Sequence, residues 1–242
     1  MVTATVVLLH GVGLDHTMWA PVRSRLPHEL RVVAPDLLGH GANAAAPAGT
    51  TLEDLARDVV ERLDRPAHLV GFSLGALVAQ HIAVTQPQTV ASLTSVSSVC
   101  ARTDAERASV LGRLATADSD FEASVEASID RWFTGTDVDP EVVAATRATL
   151  LANDRPSYLA CYRVFATADE ELAPRLAGIT SPALAITGAD DPGSTPDMTE
   201  RLAARIPDCR AEVVAGARHM FPVVQPDALI HALVPFIEGA SR

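Results

Sequence analysis

The stretch His68-Leu-Val-Gly71-Phe-Ser73-Leu-Gly75-Ala-Leu-Val-Ala-Gln-His81-Ile-Ala-Val84 changes character at a single residue. Up to Phe72 it is a short apolar run suited to a buried strand, and beyond Ser73 the apolar positions continue long enough for a buried helix. A strand that passes directly into a helix leaves its turn residue strained, with the side chain projecting above the sheet. Glycine at 71 and 75 removes the side chains that would collide where strand and helix meet. A serine held in such a turn is a candidate nucleophile.

The same alternation recurs on either side. Residues 5–9, closed by His10-Gly11, and residues 31–34, closed by Pro35-Asp36, are predicted as buried strands, with a weakly helical stretch over 18–26 between them. Thr51-Leu-Glu-Asp54 opens a helix in the manner of a capping box, and Leu52, Leu55, Val59 and Leu63 recur at helical spacing. Residues 90–96 read as the next strand. From 102 to 176 no buried strand is expected; helical patterns dominate, broken at Gly135-Thr-Asp-Val-Asp-Pro140 and Asn153-Asp-Arg-Pro156. Strands at 183–187 and 211–214 and helices at 196–205 and 226–237 then resume the rhythm. Strands alternating with helices predict an α/β architecture with a mostly parallel central sheet flanked by helices. Residues 1–99 and 177–242 form its core, and residues 100–176 form a helical cap, or lid, inserted into that one unit.

Composition excludes several functions. The chain has 242 residues, 48% of them hydrophobic and 20% charged, which suits a single sizeable core. A formal charge of -11 opposes binding to nucleic acid or to an anionic membrane surface. All 19 basic residues are arginine, so lysine Schiff bases, Walker phosphate loops and Ser-Lys hydrolysis are excluded. Cys100, Cys161 and Cys209 show no CxxC spacing and suggest neither a disulfide framework nor a zinc site. No cofactor or metal is expected. The amino terminus lacks a basic leader pattern, and no apolar run reaches the ~18 residues that span a bilayer, so a cytoplasmic location is expected. The oligomeric state is left open.

Serine needs a base, and the base needs an orienting acid. Among eight histidines, His219 stands on the loop Ala215-Gly-Ala-Arg-His219 after a predicted strand, at the carboxyl edge where α/β sheets place their ligands. His81 is carried away along the helix from Ser73; His28, His40, His68 and His231 read as solvated or structural. For the acid, Thr187-Gly-Ala-Asp-Asp-Pro192 lies at the same edge and offers Asp190 or Asp191; Asp191 is preferred, and Asp104 is a remote third candidate. An oxyanion needs two donors in place. The N–H of Leu74, opening the helix, is one, and the turn His10-Gly11-Val12-Gly13 presents the N–H of Val12 as the other. A dinucleotide reading of Gly11-x-Gly13 fails because His16 occupies the third glycine's place. His10 is expected to brace this loop rather than to move protons.

The ordered set His10-Gly11, Pro35-Asp-Leu-Leu-Gly-His-Gly41, Gly71-Phe-Ser-Leu-Gly75, Gly188-Ala-Asp-Asp191 and His219 resembles the α/β-hydrolase superfamily over essentially the whole chain outside the insertion. Residues 9–19, Ala152-Asn-Asp and Asp191-Pro-Gly-Ser-Thr-Pro196 resemble the 3-oxoadipate enol-lactonase group. The resemblance implies an α/β-hydrolase fold and a catalytic triad of Ser73 as nucleophile, Asp191 as acid and His219 as base. It implies the Val12 and Leu74 amides as oxyanion hole and a small carboxylic ester or lactone as substrate. Arg218 stands where that family often has glycine and Gln225 where a glutamate commonly follows; both departures bear on substrate more than on mechanism. Serine at the elbow excludes the epoxide hydrolase and haloalkane dehalogenase chemistries, which need aspartate there. Cofactorless haloperoxidase, C–C hydrolase, lyase and non-catalytic receptor roles stay open on the same fold.

The insertion carries Trp132, Phe133, Tyr158, Tyr162 and Phe165 near Arg131 and Arg163. Such a lid can enclose an apolar ligand and pair an arginine with a carboxylate. The plainer expectation, that the aromatics pack the lid against itself while the arginines face water, is preferred, and these residues stay outside the expected site.

Overall fold

The computed structural model describes residues 4–63 and 66–241. Six strands, β1 (Thr5–Leu9), β2 (Arg31–Val33), β3 (Ala67–Phe72), β4 (Val90–Val96), β5 (Ala183–Gly188) and β6 (Cys209–Val214), form one sheet in the order β2-β1-β3-β4-β5-β6. Every pairing between them is parallel. The helices are α1 (Ala20–Arg23), α2 (Leu52–Val60), α3 (Leu74–Thr85), α4 (Asp104–Ser119), α5 (Phe121–Phe133), α6 (Pro140–Leu151), α7 (Arg155–Leu172), α8 (Pro196–Ala203), α9 (Phe221–Val224) and α10 (Pro226–Ala240).

The two-residue period of a strand sends alternate side chains to opposite faces. Val7, Leu9, Leu69 and Leu93 pack with Leu55 and Val59 of α2, Leu77 of α3 and Leu202 of α8. Val6, Leu8, Val70, Phe72 and Val96 pack with Val22 of α1 and Leu229 and Leu233 of α10. Both faces are covered, so β1, β3 and β5 are buried along their whole length and are largely apolar. The expectation of a buried strand near Arg31 is corrected. β2 is an edge strand with Arg31 exposed and its valines only partly buried, because it has a neighbour on one side alone among the described residues. β6, the opposite edge, is likewise only partly buried.

Between β4 and β5 the chain is helical, and each of the four helices there starts at a polar cap. The side chains of Thr103, Asp120, Asp139 and Asp154 accept backbone N–H groups at the starts of α4, α5, α6 and α7. A buried ion pair pins the segment's two ends: Arg102 Nη1 donates to Asp169 Oδ1 at 2.6 Å, and the Arg102 N–H to Oδ2 at 2.9 Å. Asn153 Nδ2, between α6 and α7, donates to the Gly13 carbonyl after β1 at 2.8 Å. No helix among the described residues is long and apolar enough to cross a membrane.

Candidate active site

Ser73 has φ 53° and ψ −111°, a conformation that L-residues rarely adopt. The strain is held by backbone bonds on both sides: Ser73 N–H to the Val96 carbonyl at 2.9 Å and Gly75 N–H to the His10 carbonyl at 3.1 Å. A Cβ at Gly71 would lie 2.2 Å from the Gly75 carbonyl oxygen, and one at Gly75 would lie 2.3 Å from that of Leu9. The crossing of strand and helix therefore admits only glycine at these two positions.

β5 ends at Gly188, and the turn that follows buries Asp191 while leaving Asp190 exposed. Asp191 Oδ1 accepts the Gly193 and Ser194 N–H groups at 2.9 Å each, and Oδ2 accepts from His219 Nδ1 at 2.7 Å. Burial works against a charged Asp191, yet the neighbouring imidazole and these three hydrogen bonds outweigh it and hold the carboxyl below its ordinary range. With Nδ1 donating to Asp191, the basic nitrogen of His219 is Nε2. The ring contacts Phe72, tilted at 4.8 Å between centroids, and stacks on Trp132 at 5.8 Å. Asp104 is exposed at the start of α4, apart from this cluster.

The chain leaves β1 toward β2 on one side, whereas β3 leads on to β4 on the other. Loops at the carboxyl ends of β1 and β3 therefore diverge and open a crevice. Val12 lies in the first of these loops and Ser73 in the second, and both line one cavity with Asp191 and His219. Leu74 opens α3, so its N–H has no acceptor within the helix. His10 is a brace: Nδ1 donates to the Gly11 carbonyl at 2.8 Å, and Nε2 accepts the Leu37 N–H at 2.9 Å. Its burial pushes the pKa down to about 4; His40, edge-on to it at 5.0 Å, is pushed down by burial and by His10 to about 3. Both rings are neutral, which suits a nitrogen that must accept.

The cavity is narrow, with about 40 Å³ of interior space. Its wall includes Trp132 of α5 and Tyr158, Tyr162 and Phe165 of α7. The expectation that these aromatics serve only lid packing is corrected. They do touch one another, as in the edge-on Tyr158–Tyr162 contact at 5.6 Å, but they also line the space above Ser73. Arg131 faces this cavity rather than open water, joined by Arg113 of α4, which the sequence reading missed. Phe133 belongs to the core, and Arg163 is exposed as expected. Tyr158 and Tyr162, four apart on α7, gave a legible signal of a shared aromatic face, whereas Arg113 on the weakly amphipathic α4 gave none.

Residues 6–232 match the alpha/beta hydrolase family. The chain belongs to that family. Among curated relatives it is 32% identical over 238 residues to an (E)-2-((N-methylformamido)methylene)succinate hydrolase of Acinetobacter baylyi, covering 96% of this chain and 89% of the relative. It is 30% identical to 3-oxoadipate enol-lactonase 1 of the same organism, covering 97% and 88%. Among solved structures, the enol-lactonase from Burkholderia xenovorans superposes with a TM-score of 0.89 at 28% identity, covering 98% of this chain and 92% of that one. Membership places the chain among hydrolase-type enzymes.

In this alpha/beta hydrolase the other histidines stand apart from the cavity. His28 and His231 are exposed, His68 is buried with Nδ1 2.8 Å from Ser92 Oγ, and His81 lies along α3 away from the elbow. Among the described residues no group of three or more His, Cys, Asp or Glu side chains is placed to hold a metal ion.

Proposed function

We propose that the protein is a serine hydrolase of small carboxylic esters or lactones, enol-lactones such as 3-oxoadipate enol-lactone included, working through an acyl-enzyme without a cofactor. The observation that carries the reading is the 2.7 Å bond from His219 Nδ1 to a buried Asp191, in one cavity with a strained Ser73. Ser73 Oγ attacks the carbonyl carbon while Nε2 of His219 takes its proton. The Val12 and Leu74 amides receive the oxyanion, which costs no reorganisation because both belong to backbone fixed by the fold. Collapse expels the alkoxide or enolate, which takes the proton from His219; in a lactone this oxygen stays tethered to the acyl group. His219 then deprotonates water, whose attack on the acyl carbon releases the acid and restores Ser73. Residues 100–176 act as the lid of this site, supplying the aromatic wall. Three free cysteines suit a reducing compartment, and the reading places the reaction in the cytoplasm.

Turnover of p-nitrophenyl butyrate, with a butyryl adduct on Ser73 detected by mass spectrometry, tests the proposal. Ser73→Ala should abolish both signals while leaving the fold intact. Turnover that survives in this variant would overturn the assignment of Ser73.

A further inference from the structure

We propose that Arg113 and Arg131 form a carboxylate subsite in the cavity above Ser73, so that the substrate is an ester or lactone with a carboxylate remote from the scissile bond. This rests on the hydrolase reading of the same cavity. The two guanidiniums come from different helices, α4 and α5, yet both line the space that holds Ser73 and His219. Each is anchored one turn back on its own helix. Arg113 Nη1 donates to Ser109 Oγ at 2.8 Å; Arg131 donates through Nη1 to the Ala127 carbonyl at 3.2 Å and through Nη2 to Ser128 Oγ at 2.9 Å. A guanidinium has five N–H groups, so each keeps donors to spare.

Among the described residues neither arginine enters an ion pair. That is notable in a chain with 30 acidic side chains against 19 basic ones. Among the described residues the only carboxylate lining the cavity is Asp191, and its oxygens are committed to His219, Gly193 and Ser194. Two half-buried like charges with no counter-ion repel each other, and an anion between them removes the penalty. Burial, and then the Arg113 charge, push Arg131 below its ordinary range, in keeping with this repulsion. A planar carboxylate matches the guanidinium fork, while the aromatic wall suits an apolar or unsaturated body joining it to the reacting carbonyl.

The test compares monomethyl adipate with methyl hexanoate, which replaces the carboxylate by a methyl group, reading the ratio of their kcat/KM values. The wild type should prefer the charged ester, and Arg113→Gln and Arg131→Gln should each lower the ratio by about 10–100-fold, the worth of a charged hydrogen bond. Arg113→Lys should retain part of the preference, and Arg163→Gln, exposed on α7, all of it. If Arg131→Gln fails to fold by circular dichroism, Arg113→Gln decides, supported by calorimetry of adipate binding to Ser73→Ala with and without it. A wild-type ratio of one or less, or a ratio unmoved by Arg113→Gln, sinks the subsite while methyl hexanoate turnover keeps the hydrolase reading. Turnover of neither ester sinks both.

Discussion

Replacing Asp191 by asparagine isolates what the carboxylate does for His219. Asparagine keeps an oxygen that can accept the Gly193 and Ser194 amides, both 2.9 Å from Oδ1, and this choice turns its NH₂ toward His219 Nδ1. Two donors cannot share one hydrogen bond, so Nδ1 gives up its proton and Nε2 carries it instead. The imidazole then presents an N–H to Ser73 where a lone pair is needed. The expected loss is about 10⁴-fold in kcat, equivalent to ~5.5 kcal/mol of transition-state stabilisation. The substitution is isosteric, and Phe72 and Trp132 still contact the ring, so the melting temperature should change little. Steady-state hydrolysis of p-nitrophenyl butyrate, with thermal melts of the same samples, reads both quantities. Asp190→Asn, on an exposed side chain one residue away, is the control and should keep full activity. A folded Asp191→Asn enzyme that loses less than tenfold would refute the tautomer argument.

Three further outcomes are expected. Gly75→Ala should destabilise the fold by ~1–3 kcal/mol and suppress acylation of Ser73, because its Cβ would sit 2.3 Å from the Leu9 carbonyl oxygen and 2.6 Å from that of His10, both backbone atoms; denaturant melts and adduct mass spectrometry check this. His10 and His40 are held neutral in the folded state, with values lowered from 6.5 to about 4 and about 3, whereas the unfolded chain protonates them below pH 6.5. The unfolded state thus binds more protons, and stability should fall by up to ~2.7 kcal/mol per pH unit as pH drops from 6.5 toward 4; urea midpoints that stay level from pH 7 to 5 would contradict it. Arg102→Met leaves Asp169 buried without its 2.6 Å partner and should cost ~3–5 kcal/mol, whereas adding Asp169→Leu should recover part of the loss, as a double-mutant cycle in urea measures.

Much of this molecule is written in local pattern. Apolar runs located β1, β3, β4 and β5 close to their ends, because strands buried on both faces are largely apolar, and the valines of β2 marked that edge strand as well. The exposed residues of β6 hid its start at Cys209, since an edge strand is not bound by that rule. Thr51 was legible as a cap because its capping box closes within four residues.

By itself the sequence determined the alternation of strands and helices and the glycine-flanked serine turn, and for the acid it preferred Asp191 over Asp190, with Asp104 a remote third candidate. Each of these depends on residues a few positions apart. The tertiary structure alone decided that Asp191 rather than Asp190 meets His219, since burial and the aim of the turn after β5 separate two adjacent carboxylates. It alone brought Arg113 and Arg131, 18 positions apart on separate helices, to the cavity of Ser73. Convergence of this kind arises from how helices pack across the carboxyl edge of the sheet, and no periodicity within one helix encodes it.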